Sequence, residues 1–250
     1  MYILAIDTTG KTASVCVAKE DGNALSPLSL RTTNCGYTHS ETLLPMIDGC
    51  LSDAGISASD ISTLAVSAGP GSFTGVRIGV ASAKGISFGL TAKGVEHVCI
   101  EVSSLEALAE NVRAYSGYIL CPVMDARRSQ FYNALFKVAR NGEMKRLCED
   151  RLPTATELYG ELSEKYKGKK LLLVGDGARL CKKLFDELSD GAECTFKYEV
   201  CDSAQMYQDA FSVAKVAYRH SDKKVTGAAL SPIYLRASQA ERERLEKKRE

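Results

Sequence analysis

An α/β fold made of two tandem βββαβα units is what this sequence predicts, on three observations. Apolar runs of strand length alternate along the chain with segments whose apolar residues recur at helical spacing. Two of those runs, Tyr2 to Ile6 and Tyr118 to Met124, end in an aspartate (Asp7 and Asp125) and lead through a turn into a second alternating stretch. The whole order of elements that follows the first aspartate then recurs after the second, which is the signature of internal repetition.

After the strand ending at Asp7, Ser14–Ala18 alternates as a second strand, and Asp21-Gly22-Asn23 is a hairpin signal leading to a third, Leu25 to Thr32. Thr38-His39-Ser40-Glu41 has the capping-box pattern that opens a helix. Leu43, Leu44, Ile47 and Leu51 carry that helix's apolar stripe, and Gly55 ends it. Pro45 sits inside and predicts a kink or a late start. A strand over Leu64 to Ser67 passes through Gly69-Pro70-Gly71 into a helix over Thr74 to Gly89, then come a strand over Gly94 to Cys99 and a helix from Ser103. In the second half Gln130 to Val138 alternates, and Asn141-Gly142 turns into a third strand. Thr154 caps a helix to Tyr166, with Glu157 completing another capping box. Leu171–Val174 is a strand, Gly177–Leu188 a helix, Cys194–Val200 a strand and Ala204–His220 a final helix. Two such units side by side describe a duplicated ribonuclease-H-like fold. Residues 1–101 form the first lobe and 102–203 the second, helix 204–220 returns to pack on the first lobe, and 237–250 is a charged tail, either a solvated helix or disordered.

Composition narrows the function. A chain of 250 residues with 45% hydrophobic and 25% charged residues is an ordinary globular protein. Its formal net charge of +1 argues against strong unaided binding to nucleic acid, while leaving room for a small basic patch. The nine cysteines are scattered without a CxxC pair, which points to reduced thiols in the cytoplasm rather than a zinc site or a disulfide framework. No stretch is long enough to span a membrane, and the N-terminus is no secretory signal. The three histidines offer no i, i+4 metal pair, and there is no GxSxG elbow.

Several motifs are candidates for binding. Asp7-Thr8-Thr9 either faces phosphates, with hydroxyls and turn amides as donors, or caps its own turn. In the second half, Asp125 is followed by Ala126-Arg127-Arg128, where a phosphate loop would need bare glycine backbone. Gly175-Asp176-Gly177 lies between a strand and a helix, the place for an adenosine cradle. Gly69-Pro70-Gly71-Ser72-Phe73-Thr74-Gly75 lacks the GxxxxGK[ST] pattern. Its helix carries Gly75, Gly79 and Ala83 at i, i+4, i+8 with Ser82 beside them, a bare face that implies close approach of another backbone, inside the fold or on a partner. His39 reads as an exposed residue of the first helical turn.

Four segments, Ile3–Thr9, Thr38–Pro45, Ser67–Gly79 and Pro232–Arg236, together resemble the TsaB family of tRNA threonylcarbamoyladenosine biosynthesis proteins, within the actin/sugar-kinase-like superfamily; older names for relatives are glycoprotease-like. The resemblance implies a non-catalytic cytoplasmic subunit that pairs with the TsaD transferase, with the ATPase TsaE joining the pair and tRNA engaged only through the complex. It implies no intrinsic cofactor, ATP or ADP at the partner interface, and a homodimer when TsaD is absent. On the stretch Val102–Leu108, Ser104 and Leu108 stand where TsaD carries its two metal-binding histidines, so that site is lost here. The partner interface would use Thr38, His39, Leu43, Leu44, Ile47, Gly75, Gly79, Ser82 and Ala83, and nucleotide would be met by Asp7, Thr8, Thr9, Gly175 and Gly177. A stand-alone ATPase or sugar kinase of the same fold, or a peptidase, are the alternatives.

Overall fold

The computed structural model describes residues 1–22, 24–34, 39–189 and 194–236. In the first half β1 (Tyr2–Asp7), β2 (Ala13–Asp21) and β3 (Ala24–Thr33) form an antiparallel meander. Then α1 (His39–Asp53), β4 (Thr63–Gly69), α2 (Phe73–Ala92), β5 (Val98–Ser103) and α3 (Ser104–Asn111) follow, with β4 and β5 joining the sheet in parallel. The second half repeats this with β6 (Tyr118–Asp125), β7 (Phe131–Asn133), β8 (Phe136–Val138), β9 (Met144–Arg146), α4 (Ala155–Lys165), β10 (Lys170–Val174), α5 (Ala178–Ser189), β11 (Lys197–Val200) and α6 (Ala210–Arg219). The sheet orders are β3-β2-β1-β4-β5 and β9-β8-β6-β10-β11, the same topology twice, so the duplicated fold read from the sequence is present.

Local chemistry explains most boundaries. Thr154 accepts from the Glu157 backbone while Glu157 returns to the Thr154 amide, closing the anticipated capping box at α4. Ser72 caps α2 and Ser103 caps α3. α1 runs through Pro45 without a late start. The alternation from Gln130 to Val138 is not one strand: β7 and β8 pair with opposite ends of β6, and the chain steps between them at Ala134 and Leu135, which are both buried.

The packing is exchanged between halves. The outer faces are covered locally, by α1 and α2 on the first sheet (Leu43, Ile47, Val76 and Val80 against Leu4, Ile6, Val15 and Val66) and by α4 and α5 on the second. On the inner faces, α6 lays Ala210, Val213, Ala214 and Ala217 on Ile3, Ala5, Cys16 and Ala65 of the first sheet. Meanwhile α3 and its C-cap residue Val112 put Leu105, Leu108 and Val112 against Leu120, Phe136 and Leu172 of the second. The two exchanged helices touch, so the lobes are joined through a continuous apolar layer. Charges line its edge: Glu106 pairs with His220 at 2.7 Å and Arg146 at 3.3 Å, and nearly buried Glu110 pairs with Arg219 at 2.8 Å.

Candidate functional site: a cleft between the lobes and a helical face on the first

The carboxyl ends of β1, β4, β6 and β10 converge on a cleft of about 310 Å³ between the lobes. Such ends are where open α/β sheets take ligands. Cations Lys11, Arg127 and Arg236 and carboxylates Asp125 and Asp176 line it. The second-lobe turn departs from glycine chemistry, because Arg127, Arg128 and Ser129 all adopt positive φ (65°, 55° and 55°). That turn is held by the Arg127 amide donating to Asp125 Oδ1 at 2.7 Å. Asp176 accepts from the Asp125 amide at 3.2 Å, and burial raises its carboxyl above its ordinary value.

Most of the residues expected to meet nucleotide are turned inward, and Asp7 caps its own turn, the second of the two readings its sequence allowed. Asp7 is fully buried: Oδ1 accepts from the Thr9 amide (2.8 Å) and hydroxyl (2.7 Å), and Oδ2 accepts from Ser67 at 2.6 Å. Burial lifts its carboxyl above the ordinary value against the pull of those donors. The Thr8 hydroxyl donates to the Gly75 carbonyl at 2.6 Å. Gly175, at φ +112°, and Gly177 are glycine because a Cβ there would strike the Val123 carbonyl and the Asp125 amide. Of the five, Thr9 alone lines the cleft, and its carbonyl accepts from the Ser72 amide at 2.7 Å.

The residues expected at a partner interface divide in the same way. A Cβ on Gly75 or Gly79 would run into Thr8, and Ala83 is fully buried, so the close backbone approach implied by the small-residue stripe is made inside the chain. Leu43 and Ile47 belong to the core, and His39, 5% exposed rather than on the surface, holds the first loop through Nε2 on the Gly10 carbonyl at 3.0 Å. Thr38 and the tail 237–250 lie outside the described residues. Ser82 is half-buried, while Leu44 is 56% exposed. The solvent side of α2 carries a second small-residue row that the sequence reading missed, Ala81, Gly85 and Gly89, the glycines with open space around them. Phe88 beside them is 57% exposed. Helical spacing alone marks both rows; only the sheet's position distinguishes them.

The chain's last described segment was also missed as part of the site. Ile233 donates to the Ala68 carbonyl at 2.7 Å, and Tyr234 stacks on Phe73 with centroids 4.6 Å apart. The Arg77 guanidinium lies 3.9 Å from the Phe73 ring and donates from Nε to the Tyr234 hydroxyl at 2.8 Å. Arg236 then reaches the Ala126 carbonyl of the other lobe at 2.6 Å. Of the two positions that the resemblance sets against metal-binding histidines, Ser104 donates to the Pro70 carbonyl and Leu108 is core. Among the described residues no group of three or more His, Cys, Asp or Glu side chains is placed to hold a metal ion. No described helix is long and apolar enough to cross a membrane.

A family model described as TsaD, tRNA N6-adenosine threonylcarbamoyltransferase, matches residues 33–244. A Bacillus subtilis protein named tRNA threonylcarbamoyladenosine biosynthesis protein TsaB is 32% identical over 188 residues, 75% of this chain and 76% of that one. The Escherichia coli protein of the same name is 37% identical over 143 residues, 57% of this chain and 58% of its own. Among solved structures, YeaZ from Pseudomonas aeruginosa superposes with a TM-score of 0.69 at 22% identity, covering 94% of this chain and 99% of YeaZ, which bears on the fold. On the family model and the Bacillus relative together, the chain belongs to the TsaB family of tRNA threonylcarbamoyladenosine biosynthesis proteins.

Proposed function

We propose that this chain is a non-catalytic subunit acting beside a TsaD-type transferase in threonylcarbamoyladenosine modification of tRNA, and that it docks through the solvent side of α1 and α2. The observation that carries the reading is the pair of large apolar side chains left exposed on these helices, Leu44 on α1 and Phe88 on α2, the latter beside the open Gly85 and Gly89. Small residues let two helical backbones approach closely, and aromatic anchors dominate the energetics of such contacts. The cleft supports the same reading, because the Asp7 carboxylate and the Gly175–Gly177 turn are committed to internal partners. The names of the relatives supply the pathway, and the TsaD family model supplies the kind of partner. In this reading a TsaE-type ATPase joins the pair, nucleotide sits at the subunit boundary, and the same face closes a homodimer when the transferase is missing.

The test is to mix the purified chain with the TsaD-type protein of the same source and measure the mass of the species formed by light scattering after gel filtration. A one-to-one complex at micromolar concentration is expected, lost in Leu44→Glu and Phe88→Glu variants that melt normally. No complex for the unaltered chain, or a complex indifferent to both variants, overturns the reading.

A further inference from the structure

The end of the second sheet opposite the cleft holds most of a basic rim. Strand register places its members. Lys145 on β9 lies directly opposite Lys137 on β8, Lys170 on β10 lies beside Lys197 on β11, and Lys137 and Lys170 flank Ile119 and Tyr118 at the start of β6. Arg140 sits in the hairpin between β8 and β9, and Lys169 precedes β10 and accepts from the Lys197 amide at 2.9 Å. All six side chains are exposed. Among the described residues none of the six forms an ion pair, whereas Lys165 nearby is engaged by Glu161 at 3.2 Å. Of the acids sharing this end, Glu143 is bonded to Asn141, Glu199 lies by Tyr118 and raises the pKa of its hydroxyl, and Glu164 stays at the end of α4.

This arrangement costs the free chain something. Like charges directly opposite on paired strands repel, and here two lysine pairs sit on one rim of a protein whose formal charge is only +1. A polyanion removes that cost. The rim crosses four inter-strand steps of about 4.8 Å, roughly 19 Å in all, which spans several consecutive phosphates. Five of the six are lysines and one is arginine, and the shallow hollow of about 710 Å³ beside Lys137, Arg140 and Lys145 has no aromatic side chain in its lining to stack a base, so the chemistry fitted is a phosphodiester backbone, read by charge and not by sequence.

We propose that this distal rim of the second lobe contacts the RNA backbone, so that the subunit holds tRNA directly as well as holding its partner. The proposal rests on the tRNA-pathway reading above for its choice of polyanion. It places RNA on the second lobe and leaves the α1 and α2 face free for protein.

The test is fluorescence anisotropy of a labelled, unmodified tRNA transcript titrated with the full chain at 50 and 200 mM KCl. With four phosphates engaged, affinity is expected to fall about a hundredfold between these salts, since each contact adds about 0.7 to 0.9 to the logarithmic salt slope. Lys137→Glu/Lys145→Glu and Lys170→Glu/Lys197→Glu are each expected to weaken binding by at least about tenfold and to flatten that slope, while Arg at the same positions keeps both. Glutamine versions serve if a glutamate variant melts early. Unchanged affinity and slope in all of these variants overturn the proposal, as does preference for poly-glutamate or anionic vesicles over tRNA. Co-elution of each variant with the TsaD-type protein is scored separately: a missing protein complex counts against the subunit reading, and a missing salt response counts against the rim.

Discussion

Arg77 and Tyr234 stand 157 residues apart in sequence, yet Arg77 Nε donates to the Tyr234 hydroxyl at 2.8 Å while both side chains lie against Phe73. The three side chains join the turn that opens α2 to the last described segment, and Arg236 carries that segment on to Ala126 of the other lobe. The C-terminal stretch is thereby a strap along one wall of the cleft.

Removing the strap's anchor should loosen it without unfolding either lobe. Tyr234→Ala deletes a ring stack, a cation–π neighbour and a hydrogen bond at a half-exposed site, for about 1–2 kcal/mol in all. For a chain of this length that lowers Tm by roughly 2–8 °C. Tyr234→Phe keeps the stack and is expected to lose about half of the effect. Hydrogen exchange at Ile233, whose amide is bonded to Ala68, should accelerate in the alanine variant and stay slow in the phenylalanine one.

The two glycine rows of α2 should respond oppositely to added side chains. Gly79→Leu drives a side chain into Thr8, Val66 and Ile6, and is expected to cost more than about 3 kcal/mol and to lower soluble yield. Gly85→Ala meets open space and should stabilise the isolated chain by about 0.5–1 kcal/mol through helix propensity. Thermal melts of both variants decide it, and equal destabilisation would show that the outer row is packed as tightly as the inner.

Those rows also show what the sequence could and could not convey. Both topologies were legible because each begins with an apolar run ending in aspartate, Asp7 or Asp125, and because capping boxes such as Thr154–Glu157 fix helix starts locally. Long-range facts were not. A small-residue stripe reports that a backbone comes close without saying which one, inside the fold or on a partner, and at Gly75 and Gly79 it is Thr8 of the same chain. His39 looked like an exposed first-turn residue because nothing local marks the Gly10 carbonyl as its neighbour. The blocks holding Phe73, Arg77 and Tyr234 stood out separately, but only the folded chain puts them together.

Acid should weaken the seam between α3, α6 and β9. Burial pushes the Glu106 carboxyl upward, but the His220 hydrogen bond and charge together with Arg146 outweigh it, so the folded value lies below the ordinary 4.5. A carboxyl depressed on folding contributes stability that is present above the unfolded value and is lost as pH falls through the folded one. Glu106→Gln is therefore expected to cost about 1–3 kcal/mol at pH 7 and progressively less below pH 4.5. Denaturant titrations of both proteins from pH 7 to 3 give the two curves, and a constant gap between them would dismiss the ion pair as the cause.

The cleft should prove a poor nucleotide site for the lone chain. Metal-bound phosphates are held by free carboxylate oxygens and bare amides, and here Asp7 spends both oxygens on Thr9 and Ser67. Isothermal titration of the isolated chain with Mg-ATP is expected to show no saturation below about millimolar, which corresponds to about 4 kcal/mol of binding energy. Asp7→Asn supplies the control. Its amide can keep the bond from Thr9 and donate to Ser67, so the fold should persist. Because the buried carboxyl is raised on folding, the wild-type chain loses stability as pH climbs from 3.8 through the folded value, and the asparagine variant does not. The variant's Tm relative to wild type should thus be higher at pH 7 than at pH 4. Tight Mg-ATP binding that Asp7→Asn abolishes would instead make this aspartate a phosphate-site residue, and would restore the kinase-like alternative for the chain.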